Sequence, residues 1–176
     1  VEGKTNIAFE HKQIKPDDID VDEAWLSVQE YWNAMVDKLD GFKKAVEGKP
    51  QDLRRPGEPY SLLMKPIAQM ALVDALVNAT KEDKITFDQA ITKANKIDWN
   101  IEAKIWKNVL VKGDQKIDQG KSARNRAAAL MTYFIAGNKL TEDEHYRYLR
   151  EYQNSFFKRK NIPEDESKWK PFPEVS

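Results

Sequence analysis

From Val21 to Leu39 the apolar residues Trp25, Val28, Trp32, Met35, Val36 and Leu39 recur at the spacing of one helix face. This predicts a first long amphipathic helix with a bulky aromatic stripe, opened by acidic residues that suit the positive end of a helix dipole. Gly41 marks a kink, Phe42 to Val46 continues helically, and Gly48-Lys-Pro50 ends the run. From Pro66 to Thr80 the strongly polar side chains are only Gln69, Asp74 and Asn78. Such a segment predicts a helix buried on most of its circumference, with Pro66 at its first position. Thr86-Phe-Asp-Gln89 and Thr141-Glu-Asp-Glu144 are capping boxes, each opening a further helix. The second of these carries Tyr148, Leu149, Tyr152, Phe156 and Phe157. Ala123, Ala127, Leu130, Met131 and Phe134 predict a second core helix, from Lys121 to Ala136 and stopped by Gly137-Asn138.

Between these helices the pattern is weaker. Residues 99–111 hold a helical turn around Ile101 to Lys107, and 112–119 read as a polar loop or small hairpin. Pro16 with Asp17 and Asp18 breaks any helix before residue 20, leaving Asn6 to Phe9 as a short strand or linker. The fold class predicted is all-α, a single irregular bundle of about five to seven helices with room for a short N-terminal strand or small hairpin. Its parts are an extended segment over 1–20, a helical domain over 21–160 and a flexible tail over 161–176.

Composition narrows the chemistry. The 176 residues contain 29 Lys plus Arg against 29 Asp plus Glu, so no overall field draws the chain to nucleic acid or an anionic membrane. Any such contact is local. The absence of cysteine removes disulfide and thiolate metal sites and fits a cytoplasmic location. No apolar run approaches the roughly 20 residues of a membrane span. A chain starting at Val1 rather than Met reads as a processed protein or a piece of a longer one.

Gly120-Lys121-Ser122 resembles the end of a phosphate-binding loop, but Gln115 stands where that motif needs glycine. What remains is Lys121, Arg124 and Arg126 around the first turns of a helix whose free N–H groups favour anions. Arg54 and Arg55 form a second basic cluster, and Lys158-Arg-Lys160 a third, with Trp106 or Tyr60 able to stack on a base where exposed. Candidate nucleic-acid contacts are therefore Arg54, Arg55, Lys121, Arg124 and Arg126. Glu142-Asp-Glu-His145 contains a Glu-x-x-His pattern, yet a di-iron site needs a second copy and the chain has two histidines. No catalytic residue, cofactor or metal is assigned. Gln69 and Asn125, polar in apolar helices, read as buried hydrogen-bonding residues that fix helix pairing.

Tyr60-Ser-Leu-Leu-Met-Lys-Pro-Ile-Ala-Gln69, the helix of Trp25 and Tyr31-Trp32, Ile97-Asp-Trp99 to Trp106, and the helix opening at Gly120-Lys121 resemble the C-terminal part of the DGQHR-domain family. That family includes DndB-type proteins associated with DNA phosphorothioation. The resemblance covers roughly residues 5 to 157. The Asp-Gly-Gln-His-Arg motif itself is missing, because Leu39-Asp-Gly41 is followed by Phe42-Lys-Lys. The resemblance implies a non-catalytic, regulatory or weakly DNA-contacting module, with double-stranded DNA and an N-terminal DGQHR-type domain as partners. The alternative is a structural or protein-interaction scaffold whose basic clusters are merely solvated.

Overall fold

The computed structural model describes residues 21–48, 53, 60–113 and 116–174. The predicted segment 1–20 and the basic pair Arg54 and Arg55 lie outside them. Among the described residues six α-helices run in order: α1 Val21–Lys38, α2 Asp40–Glu47, α3 Pro66–Thr80, α4 Phe87–Ala94, α5 Lys121–Ala136 and α6 Glu142–Tyr152. Short 3₁₀ turns join them, and the all-α expectation holds. No described helix is long and apolar enough to cross a membrane.

The chain divides into two compact units, 1–34 and 35–176. In the first, Trp25 is 60% exposed and Trp32 48%, with Val28 also exposed, although the sequence pattern assigns all three to a core face. Only Met35 and Leu39 of that stripe are fully buried, and both belong to the second unit.

In the second unit α5 is the central element. Its Ala123, Ala127, Leu130, Met131 and Ile135 are buried, and it packs against α3, α4 and α6. Its partner face on α3 is built from Ala68, Ala71, Leu72, Ala75, Leu76 and Ala79. Short side chains on both helices let the backbones pack closely. Across this seam the Asn78 amide donates to Thr132 Oγ1 at 3.5 Å, and the Thr132 hydroxyl in turn donates to the Ala128 carbonyl at 2.7 Å. The expectation that α3 is buried nearly all round is corrected: Met70, Val73 and Val77 are exposed, at positions i, i+3 and i+7. Four alanines with Ile67, Leu72 and Leu76 define the buried face, and Met70, Val73 and Val77 are left on the other. Gln69 is half-buried and donates to the nearby Leu63 carbonyl at 3.0 Å, while Asn125 is exposed, so neither pairs helices as predicted.

The predicted kink lies at Leu39, whose backbone is extended between α1 and α2 (φ −87°, ψ 112°). Leu39 cannot cap α2 with its side chain. Asn95 does so instead: its Oδ1 accepts from the Asp40 N–H at 3.0 Å and its Nδ2 donates to the Lys38 carbonyl at 2.6 Å. Gly41 is where α2 comes closest to Leu63, and a β-carbon there would lie 2.7 Å from Leu63 Cδ2. Alanine normally favours a helix over glycine, but Leu63 is fully buried, so its Cδ2 yields only by shifting within the core. Gly41→Ala is therefore expected to lower stability by about 1 kcal/mol or more, as over-packing outweighs propensity. Urea unfolding checks this, and a stabilised variant would contradict it.

Both predicted capping boxes form, Thr86 with Gln89 and Thr141 with Glu144. The motif at Tyr60 pairs its backbone with the motif at Trp99, through Leu62 N–H to the Trp99 carbonyl (2.7 Å) and Ile101 N–H to the Tyr60 carbonyl (3.1 Å). Residues 110–112 pair with 116–118 in the manner of a hairpin: Val111 bridges Ile117, and the Asp118 N–H donates to the Leu110 carbonyl at 2.8 Å. In the segment predicted as a flexible tail over 161–176, the described residues up to 174 include a docked part. Trp169 and Phe172 are buried, and Phe172 stacks on Tyr133 with ring centroids 4.2 Å apart. Gln153, itself fully buried, pins this segment by accepting from the Lys170 N–H (2.8 Å) and donating to the Lys170 carbonyl (2.9 Å).

Candidate functional site

The N-terminus of α5 carries three of the predicted DNA contacts, and the local backbone explains what each one does. Asn108 adopts φ 65°, a left-handed conformation that asparagine tolerates better than most residues. In this turn the carbonyls of Asn108 and Val109 both reach Arg126, accepting from its Nε at 3.0 and 2.8 Å. Arg126 Nη2 donates to Asp118 Oδ2 at 2.9 Å, and Nη1 donates to Ser122 Oγ at 3.3 Å. With 8% of its surface exposed, Arg126 joins the hairpin to α5 rather than facing solvent. Asp118 also accepts from the Gly120 N–H at 3.0 Å. Burial pushes the Asp118 carboxyl up, but the Gly120 N–H and the Arg126 guanidinium, with Lys112 further off, outweigh it and hold it below the ordinary aspartate value. The helix N-terminus that looks open to phosphate in the sequence thus already has a carboxylate beside it.

Arg124 forms a two-pronged pair with Asp74 of α3, Nε to Oδ2 and Nη2 to Oδ1, both at 2.6 Å. Lys121 is exposed. The structure therefore brings Lys121, Arg124 and Arg126 to one helix end but engages the two arginines with the chain's own carboxylates. The two aromatic residues offered as base platforms are occupied as well. Trp106 is fully buried and stacked on Trp99 at 5.6 Å, and Lys65 Nζ lies 4.8 Å from the Tyr60 ring centroid.

A different cationic surface forms on α6 and the segment after it. Tyr146, Arg147, Arg150 and Asn154 follow one another along the helix and its continuing turn. The 3₁₀ turns at Gln153–Ser155 and Arg159–Asn161 carry Arg159 and Ile162 back beside them. These residues, with Glu151, line a groove of about 390 Å³. Three arginines and one glutamate are thus among its lining residues. Among the described residues none of the three arginines has an ion-pair partner. Arg147 Nη2 donates to the Tyr148 hydroxyl at 3.0 Å, and its guanidinium lies 4.8 Å from that ring's centroid. Asn154 donates to the Glu151 carbonyl, while its own side-chain oxygen is buried without a partner. Sequence reasoning finds the Lys158-Arg-Lys160 cluster but misses Arg147 and Arg150. The signal was their i, i+3 spacing behind a capping box.

A larger cleft of about 580 Å³ is lined by Lys93, Lys96, Tyr133, Phe134, Gly137, Asn138 and His145. It lies at the C-terminal end of α5, where free carbonyls carry partial negative charge, and cations there stabilise the helix end without any ligand. His145 packs edge-on against Tyr133 and Phe172, each with centroids 5.8 Å away. No three His, Asp or Glu side chains gather as metal ligands among the described residues. Comparison of the chain with family models, curated proteins and solved structures finds no match.

Proposed function

We propose that this chain is a non-catalytic helical domain that holds nucleic acid by its phosphate backbone through the arginine groove of α6. The observation that carries the reading is that Arg147, Arg150 and Arg159 line one groove, with Glu151 as the only acid in its lining among the described residues. Guanidinium groups match phosphate oxygens in geometry as well as charge. The resemblance to DGQHR-domain proteins supports a DNA-modification setting for such contacts. The contact is proposed at α6 rather than at α5 because Arg124 and Arg126 are held by Asp74 and Asp118. That pairing is the observation that favours the second reading, a protein-interaction scaffold without nucleic acid.

Charge reversal separates the two. In fluorescence anisotropy with a labelled duplex at low salt, Arg150→Glu with Arg159→Glu is expected to abolish binding. Lys121→Glu is expected to leave most of it, because that residue is not among those lining the groove. Arg150 and Arg159 are exposed, so unchanged thermal melts are expected for the double variant. No binding by the wild-type chain would favour the scaffold, and full binding by the double variant would overturn the α6 groove as the contact.

A further inference from the structure

Tyr146 lies at the arginine groove with its ring packed against Trp169, centroids 5.3 Å apart and planes 31° from parallel. Trp169 is buried and fixed in place: its Nε1–H donates to the Pro163 carbonyl at 2.8 Å, and its backbone N–H donates to the Glu166 carbonyl at 2.9 Å. The neighbouring Lys170 is locked to Gln153 by the paired amide bonds. Tyr146 itself remains 40% exposed. An aromatic ring braced by a second, anchored ring, beside three arginines that have no ion-pair partner among the described residues, is more than a charged surface needs for gripping a duplex backbone. In a duplex the bases are stacked inside and offer no face to such a ring. In a single strand each base is free to stack on an aromatic side chain while adjacent phosphates run along the cationic groove.

We infer that the groove takes single-stranded nucleic acid in preference to duplex, with a base stacked on Tyr146 and the flanking phosphates held by Arg147, Arg150 and Arg159. This inference rests on the nucleic-acid reading of the groove and specifies its ligand. Trp169 acts as a positioning residue that holds the Tyr146 ring ready, and the docked C-terminal segment is what brings it there.

The test compares labelled oligo-dT of about 12 nucleotides, within the span of typical single-strand sites, with a duplex of equal length. The wild-type chain is expected to bind oligo-dT more tightly. Tyr146→Ala should weaken oligo-dT binding roughly tenfold, the loss of one base stack, and leave duplex binding unchanged. Tyr146→Phe should retain wild-type affinity, since the ring and not the hydroxyl does the stacking. Arg150→Glu with Arg159→Glu should remove binding to both probes. If both probes bind equally and Tyr146→Ala changes neither, the stacking site is overturned while the backbone contact stands. If neither probe binds the wild-type chain, the nucleic-acid reading falls and this inference with it.

Discussion

Trp106→Ala is expected to destabilise the folded chain by about 3–5 kcal/mol, the range for removing a large buried aromatic side chain. Trp106 is fully buried, stacks on Trp99 and donates its indole N–H to the Asp98 carbonyl at 2.6 Å. It also starts the turn that follows, since the N–H groups of Val109, Leu110 and Val111 all reach its carbonyl at 3.0 Å. The loss is therefore a cavity in the core beneath the loop that supplies carbonyls to Arg126. Trp106→Phe keeps most of the volume and forfeits the hydrogen bond and part of the stack, so a smaller loss of about 1–2 kcal/mol is expected. Equilibrium unfolding in urea measures both. A loss below about 1 kcal/mol for the alanine variant would mean that the Trp99–Trp106 pair is not part of the core.

Arg126→Met comes next, with an expected loss on the order of 3 kcal/mol. Methionine fills a similar volume, so the effect isolates the polar partners left behind: two backbone carbonyls and the Asp118 carboxylate. Asp118 adds a pH signature. Its folded-state affinity for protons is lowered, so the stability it contributes is complete above the unfolded aspartate value of about 3.9 and is lost as pH falls through the folded value. In Asp118→Asn this part of the acid limb should be absent, and in Arg126→Met it should be reduced. Thermal melts across that pH range check the sign. An Arg126→Met variant as stable as wild type would contradict the buried anchoring role.

The helical elements were legible because each carried redundant local signals. α4 and α6 open on capping boxes, α3 on a proline at its first position, and α5 ends at Gly137 after a run of small and apolar residues. What the sequence conceals is pairing between distant residues. Nothing near Arg124 announces Asp74, fifty positions earlier, and nothing near Leu39 announces the Asn95 amide that caps both sides of its break. Asp118 was the nearest missed clue, two residues before Gly120, placed to accept its N–H and to neutralise the helix end. Likewise Trp169 looks like part of a charged tail until Gln153 is seen to lock the neighbouring backbone. The packing of Trp169 on Tyr146 goes with that lock, and so was hidden from helix periodicity.

The most direct measurement is the salt dependence of nucleic-acid binding by the wild-type chain and by Arg150→Glu with Arg159→Glu. Three guanidinium contacts predict a log–log slope of magnitude about 2–3, nearer 2 for a single strand because fewer counterions are released per phosphate. The wild-type chain should show this slope, and the double variant should show no measurable complex at any salt concentration. A slope near zero for the wild-type chain, or an equal slope and affinity in the double variant, would contradict backbone binding through the α6 groove.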